Sequence, residues 1–285
     1  MTDLSRQTVR HRRVSAELKR MREASGKNAY EVADAMRWNR TKVHRLERGE
    51  WKRLKEADVR RLADFYGVAD RRRVDALVAM ARQASTRGWW ARYSDVLGPG
   101  SYTSLEAGAS ELRFYSGMLV PGLLQTSSYA EAIFRGADIT DDAEITRRLE
   151  ARRARQEILG RSDSPSIHAI IDQAALNKVI GRPSAMAEQL LHLVEVGKRG
   201  KAKVQVLPDT AGSHPALTGQ FAILSFPSED EEPVVFIDSA HNGLFLEEPD
   251  EIASYTLIFD RLRELVLSAE DSYELIASLV NRLVE

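Results

Sequence analysis

Apolar positions recur at helical spacing through the first third of the chain. Val14, Leu18 and Met21 mark a first amphipathic helix, and Gly26 follows where a C-cap is expected. Asn28 can cap a second helix with Val32, Ala33 and Met36 on one face. Arg37 and Trp38 make a turn. Asn39 can cap a third helix, which runs to about Arg48 and stops at Gly49. A fourth carries Val59, Leu62, Ala63 and Tyr66 and ends at Gly67. A fifth starts near Asp70 and holds Val74, Leu77, Val78 and Ala81. Short connections between five short helices predict a compact bundle.

The stretch Ser85–Tyr102 interrupts this pattern. Its glycines and Pro99 predict an irregular junction, and Trp89, Trp90, Tyr93 and Tyr102 predict that it packs as a seam between domains, with ligand contact as the second reading. Helical spacing then returns. Leu105, Leu112 and Tyr115 mark one helix, Tyr129, Ile133 and Phe134 a second, and Ile145, Leu149 and Leu159 a third. From Ser166 the pattern turns to α/β. "SIHAII" and "KVQVL" read as strands around a helix opened by Pro183 and carrying Met186, Leu190, Leu193 and Val194. "GQFAILSF" and "VVFID" flank an acidic loop and predict an antiparallel hairpin. Ile252, Tyr255, Phe259, Leu262 and Val266 mark a helix, Ser268 with Asp271 a capping signal, and Tyr273, Ile276, Val280 and Leu283 the last helix. The expected architecture is an N-terminal five-helix bundle followed by a larger mixed α/β domain with a helical linker segment. Its domains are residues 1–84, a junction at 85–104, and 105–285.

Charge sharpens this division. Residues 1–73 hold 21 Lys and Arg against 11 Asp and Glu, while the rest holds 20 against 31. A basic head on an acidic body points to a polyanion met by the head alone. The absence of cysteine excludes disulfides, thiolate metal sites and a cysteine nucleophile. No apolar run approaches the ~18 residues of a membrane span. The polar, basic N-terminus lacks the apolar core of a signal peptide. A cytoplasmic location without membrane attachment is expected.

The candidate chemistry sits in "RWNRTKVHRLERGE", Arg37 to Glu50. On a helix Val43 and Leu46 share one narrow apolar face. Around them stand basic groups in a helix–turn–helix arrangement, whose second helix enters a major groove. Arginine can bind guanine O6 and N7 with two hydrogen bonds, and threonine can touch a thymine methyl. Arg40, Thr41, His44 and Arg45 are therefore the candidate base readers. Lys42 and Arg48 suit phosphate, and the N–H groups behind Asn39 form a phosphate seat.

"EVADAMRWNRTKVHRLERGE" resembles the phage-repressor type of helix-turn-helix (Cro/C1, xenobiotic-response-element family). The match lies in Ala33 of the second helix, in Val43 and Leu46 of the third, and in Glu47, which stands two positions before Gly49. The resemblance implies an ion pair between Glu47 and Arg22 of the first helix, giving Arg22, Val43, Leu46 and Glu47 structural roles. This chain departs from that family in two places. The inter-helix turn holds Arg37 instead of glycine, and Ala29 stands where a glutamine often touches phosphate. Farther on, "YSGMLVPGLLQTSSYAEAIF", "IIDQAALNKVIG" and "VQVLPDTAGSHPALTGQFAILSF" resemble the C-terminal domain of WhiJ-like actinomycete regulators. That resemblance implies a regulator of development or secondary metabolism, with a small BldB-like protein as partner. The family often has an acidic residue at the position of Gln173.

These readings converge on a dimeric transcription regulator that binds double-stranded DNA at an inverted-repeat operator. Its larger domain would dimerise and respond to a partner protein or small ligand. The second expectation is an antitoxin-like protein that sequesters a small BldB-like partner and regulates its own operon. No enzyme, metal or cofactor is expected. His168, His192, His214 and His241 lack metal-ligand spacing, and no phosphate-binding glycine motif occurs. Asp172 and Asp238 at strand ends read as caps and turn-formers. "PGLLQT" reads as a structural turn between helices, the arginine run Arg147–Arg155 as an ion-paired surface, and "AGSHPALTG" as a lid or partner contact.

Overall fold

A computed structural model describes residues 9–85, 88–98, 101–228, 231–238 and 243–284. The chain divides into two compact units, one taking Met1–Leu105 with Ser228–Glu231, the other Glu106–Pro227 with Glu232–Glu285. An N-terminal helical region is followed by a mixed six-stranded sheet with helices.

The first unit is built on α1 (Val9–Ala24), α2 (Ala29–Met36), α3 (Arg40–Glu47), α4 (Glu56–Phe65) and α5 (Arg71–Ser85). One apolar face of each helix enters a single core, with Val14, Val32, Val43, Val59, Leu62 and Leu77 almost fully buried. The starts of α2 and α3 are fixed locally. The Asn28 side chain accepts from the Tyr30 and Glu31 N–H groups, and the Glu31 carboxylate accepts from the Asn28 N–H, forming a reciprocal cap. The Asn39 side chain accepts from the Lys42 N–H at 2.8 Å. The stretch after α5 is helical over short lengths. It contains a 3₁₀ turn at Trp89–Tyr93, then α6 (Ser94–Leu97) and α7 (Ser101–Glu106). Trp89 meets Trp90 and Tyr93 edge-on. Pro99 and Gly100 lie outside the described residues.

The second unit holds β1 (Glu111–Ser116), α8 (Ser127–Gly136), α9 (Asp142–Gln156), β2 (Ser166–Asp172), α10 (Gln173–Asn177) and α11 (Pro183–Lys198). It continues with β3 (Lys203–Leu207), β4 (Phe221–Ser225), β5 (Val234–Ile237), β6 (Leu244–Leu246), α12 (Pro249–Leu265) and α13 (Ala269–Val284). The strand order is β3-β2-β1-β4-β5-β6. β1, β2 and β3 run parallel, joined through helices, and β4, β5 and β6 follow as antiparallel neighbours. On one face Ile170, Ile223 and Val235 cluster with Phe259 and Leu262 of α12. The alternate residues Leu112, Phe114, Ala169 and Val204 are buried too, so both faces are covered.

Burial on both faces explains the main departure from the sequence expectation. Leu105, Leu112 and Tyr115 do not share a helix: Leu105 lies in α7, and Leu112 and Tyr115 lie in β1. A strand covered on both sides need not alternate cleanly, and "ELRFYS" is buried at Leu112, Phe114, Tyr115 and Ser116. Three smaller differences follow from loop geometry. "PGLLQT" leads from β1 into α8, with a 3₁₀ turn at Gly122–Leu124, so it does not join two helices. α9 stops at Gln156, and Leu159 belongs to a 3₁₀ turn in which Ile158 is the buried residue. The three-residue β6 is too short to carry a period.

Candidate nucleic-acid interface

The turn between α2 and α3 is closed by backbone bonds from Arg37 N–H to Asp34 C=O and from Trp38 N–H to Ala33 C=O, at 3.0 and 2.8 Å. This closure requires a left-handed residue, and Arg37 occupies it at φ 55°, ψ 43°. At the other end of α3, Gly49 takes φ 74° and Glu50 N–H reaches Arg45 C=O at 2.8 Å.

α3 is held by its inner face. Val43 and Leu46 are buried, and the buried Ser15 hydroxyl of α1 donates to the Leu46 carbonyl at 2.5 Å. That bond joins the one from Gly49 N–H to the same carbonyl, at 3.1 Å, at the C-terminus of α3. The Trp51 indole N–H donates to the same hydroxyl at 2.9 Å. Arg22 grips Glu47 with two hydrogen bonds, Nε to Oε1 at 2.5 Å and Nη2 to Oε2 at 3.2 Å, and donates to the Lys27 carbonyl. The bond to Glu47 raises the Arg22 pKa further above its ordinary value. Burial, with the Glu47 charge, pushes the Tyr66 hydroxyl beside this pair up to about 12.

The outer face is a different chemistry. Asn39, Arg40, Thr41, Lys42, His44, Arg45 and Arg48 are all exposed. Arg40 and Lys42 are not loose: the Arg40 guanidinium lies 3.1 Å from the centre of the Tyr30 ring, and Lys42 Nζ 3.5 Å from that of Trp38. Lys42 also stands 4.0 Å from Asp58. Glu50 approaches Arg48 at 3.2 Å and Arg45 at 3.9 Å, which partly offsets the charge at the end of α3. A depression of about 340 Å³ opens between Lys19, Arg22, His44, Glu47 and Arg48. The motif reading gives no role to Tyr30 or Glu50, and gives Trp38 only a place in the turn. Each acts across a turn, where a periodicity analysis of one helix gives no signal.

The strand ends of the second unit hold a smaller polar cluster. Asp172 caps α10 through the Ala174 N–H at 2.9 Å and accepts from the Tyr115 hydroxyl at 3.3 Å. His214, whose side chain is 3% exposed, stands 3.6 Å from the same carboxylate, and its Nδ1 is buried without a hydrogen-bond partner. The Gln173 side chain accepts from the Asp209 N–H at 3.0 Å. Asp238 is exposed after β5, and His241 lies outside the described residues. Among the described residues, no three His, Asp or Glu side chains are grouped to hold a metal ion. No described helix is long and apolar enough to cross a membrane.

Residues 13–77 match a family described as a helix-turn-helix domain (HTH_31), and residues 100–278 match one described as a domain of unknown function (DUF5753). The first match suggests DNA binding, and neither description names an enzymatic activity. No curated protein and no solved structure matches the chain.

Proposed function

The chain belongs to the DUF5753 family, and we propose that it is a sequence-specific DNA-binding regulator of transcription that acts through its helix-turn-helix. In this reading α3 lies in a major groove. Arg40, Thr41, His44 and Arg45 read base edges, while Lys42, Arg48 and the backbone N–H groups behind Asn39 hold phosphates. Arg22, Val43, Leu46 and Glu47 keep the helix in place. We assign residues 1–84 to the DNA-binding domain, 85–104 to a junction and 105–285 to an effector domain that dimerises and responds to a partner protein or small ligand. A dimer would read two half-sites about one helical turn, ~34 Å, apart.

The observation that carries this reading is the division of α3 into two faces. Its apolar side chains are buried and its remaining basic side chains are exposed. A helix needed only for the core would gain nothing from concentrating like charges on its outer face. Fluorescence anisotropy on the chain's own promoter DNA and on a scrambled duplex, across a salt series, tests it. The expected result is a preference for the promoter that survives added salt. Equal, steeply salt-dependent binding to both duplexes would mean phosphate contact alone and would overturn the assignment.

A further inference from the structure

Two aromatic rings flank the start of α3, and they carry different cations. Trp38 carries Lys42 and also packs against the core of the head. Tyr30, the second residue of α2, is 59% exposed. Its ring spends its face on the Arg40 guanidinium, whose carbon lies 3.1 Å from the ring centre. Arg40 is the first residue of α3, where a recognition helix presents side chains to base edges.

The chemistry of the two cations separates their uses. An ammonium is a compact point charge suited to phosphate, and Lys42 is further drawn toward Asp58 at 4.0 Å. A guanidinium is planar, and all of its N–H donors lie in its own plane. A ring against its face therefore leaves the donor edge free. Guanine offers O6 and N7 to that edge in the major groove. An arginine without such a platform must be ordered when it binds, at a cost in affinity and in discrimination.

We infer that Tyr30 is a positioning residue for base readout: its ring holds the Arg40 guanidinium so that its edge selects a guanine at one position of each half-site. This rests on the assignment of α3 to a DNA groove. Tyr30 itself would touch no base. The aromatic face is the active part, so phenylalanine would serve and a small residue would not.

The test is selection from a random-sequence duplex library by the full-length chain, with Tyr30→Phe, Tyr30→Ala and Arg40→Ala compared with wild type. Melting curves check folding, which substitution of an exposed side chain should leave unchanged. Wild type and Tyr30→Phe should enrich the same guanine column. Tyr30→Ala should lower that column by about fivefold, leaving other columns in place. Arg40→Ala should flatten the same column. A guanine column unchanged in Tyr30→Ala overturns the inference, as does tighter binding by that variant, which would show that the ring withholds Arg40 from DNA. A uniform loss over every column also overturns it. If wild type enriches no sequence, the DNA-reading assignment itself falls, and the role of Tyr30 with it.

Discussion

Two helices of this chain are rich in arginine, and they treat it in opposite ways. On α3 the basic groups stand in solvent, touched by aromatic faces and by acids at 3.2–4.0 Å. On α9 the arginines are divided. Arg148 pairs with Glu144 and Arg147 with Glu150 along the helix, as expected for a solvated face. Arg155 instead grips the buried Glu106 with two bonds of 2.5 and 2.6 Å, and Arg152 donates to the side chain of the buried Gln125 at 2.8 Å. The same residue type thus builds structure in α9 and leaves an outward donor surface in α3. What differs is the acid available within reach in a dry environment, and a count of arginines cannot show that.

The largest effect should come from removing that dry acid. Glu106 is 1% exposed, so Glu106→Ala removes the buried carboxylate that Arg155 grips. The expected loss is about 3–5 kcal/mol of stability in the second unit, read by thermal or denaturant unfolding. Glu144→Ala, which removes only a surface partner from the same helix, should cost less than about 1 kcal/mol. Equal losses in the two variants would erase the distinction drawn within α9.

Acid should separate the two regions next. His44 of α3 is exposed, whereas His168 of β2 is half-buried, bonded through Nε2 to Gln205 at 2.8 Å and set edge-on to Phe259. Burial pushes His168 down to about 4. Its folded value therefore lies below that of the unfolded chain, near 6.5. The neutral ring's contribution is complete above about pH 6.5 and is lost as the pH falls from there toward 4. The full shift corresponds to at most about 3 kcal/mol, less the part screened by solvent. Unfolding measured at pH 7.5 and 4.5 should show a smaller difference in His168→Gln than in wild type. An unchanged difference would remove His168 from the account.

On the outer face of α3 the expected losses lie in binding. Arg40→Ala and Arg45→Ala should each weaken cognate DNA by about 1–3 kcal/mol if the side chain makes a bidentate base contact. Melting should be unaffected, because both side chains are exposed. Double substitution with intact cognate affinity would reject the reading of this helix.

The head was largely legible in sequence because its signals are local. Asn28, Asn39 and Gly49 mark the ends of α2 and α3, and Val43 and Leu46 keep one face within two turns. The second unit was less so, because its determinants act at long range. Leu112 and Tyr115 mimic a helical spacing, yet β1 is fixed by pairing with β2 and β4, dozens of residues away in sequence. The "PGLLQT" loop is organised by Gln156, which donates to the Gln125 carbonyl, and by Gln189, which donates to the Leu124 carbonyl. A glutamine on a distant helix face leaves no periodic trace. The aromatic partners of Arg40 and Lys42 sit between these extremes, a turn away and readable only once the turn is known.

Arg37 offers the smallest effect and the finest test of what α3 requires of its turn. The bond from Trp38 N–H to Ala33 C=O is made with Arg37 in the left-handed region. A side chain there is crowded against its own backbone by about 1–2 kcal/mol, a cost glycine does not carry. Glycine also gives the unfolded chain more freedom, which returns part of the gain. Arg37→Gly should therefore stabilise the head by about 0.5–1 kcal/mol net, seen as a higher melting temperature. Arg37→Ala keeps the crowding and should not stabilise. If Arg37→Gly melts lower than wild type, the arginine side chain stabilises the head by more than its strained backbone costs. Salt-dependent DNA binding by the same variant then separates the two regimes: a shallower salt slope assigns Arg37 to phosphate, and an unchanged slope assigns it to the turn alone.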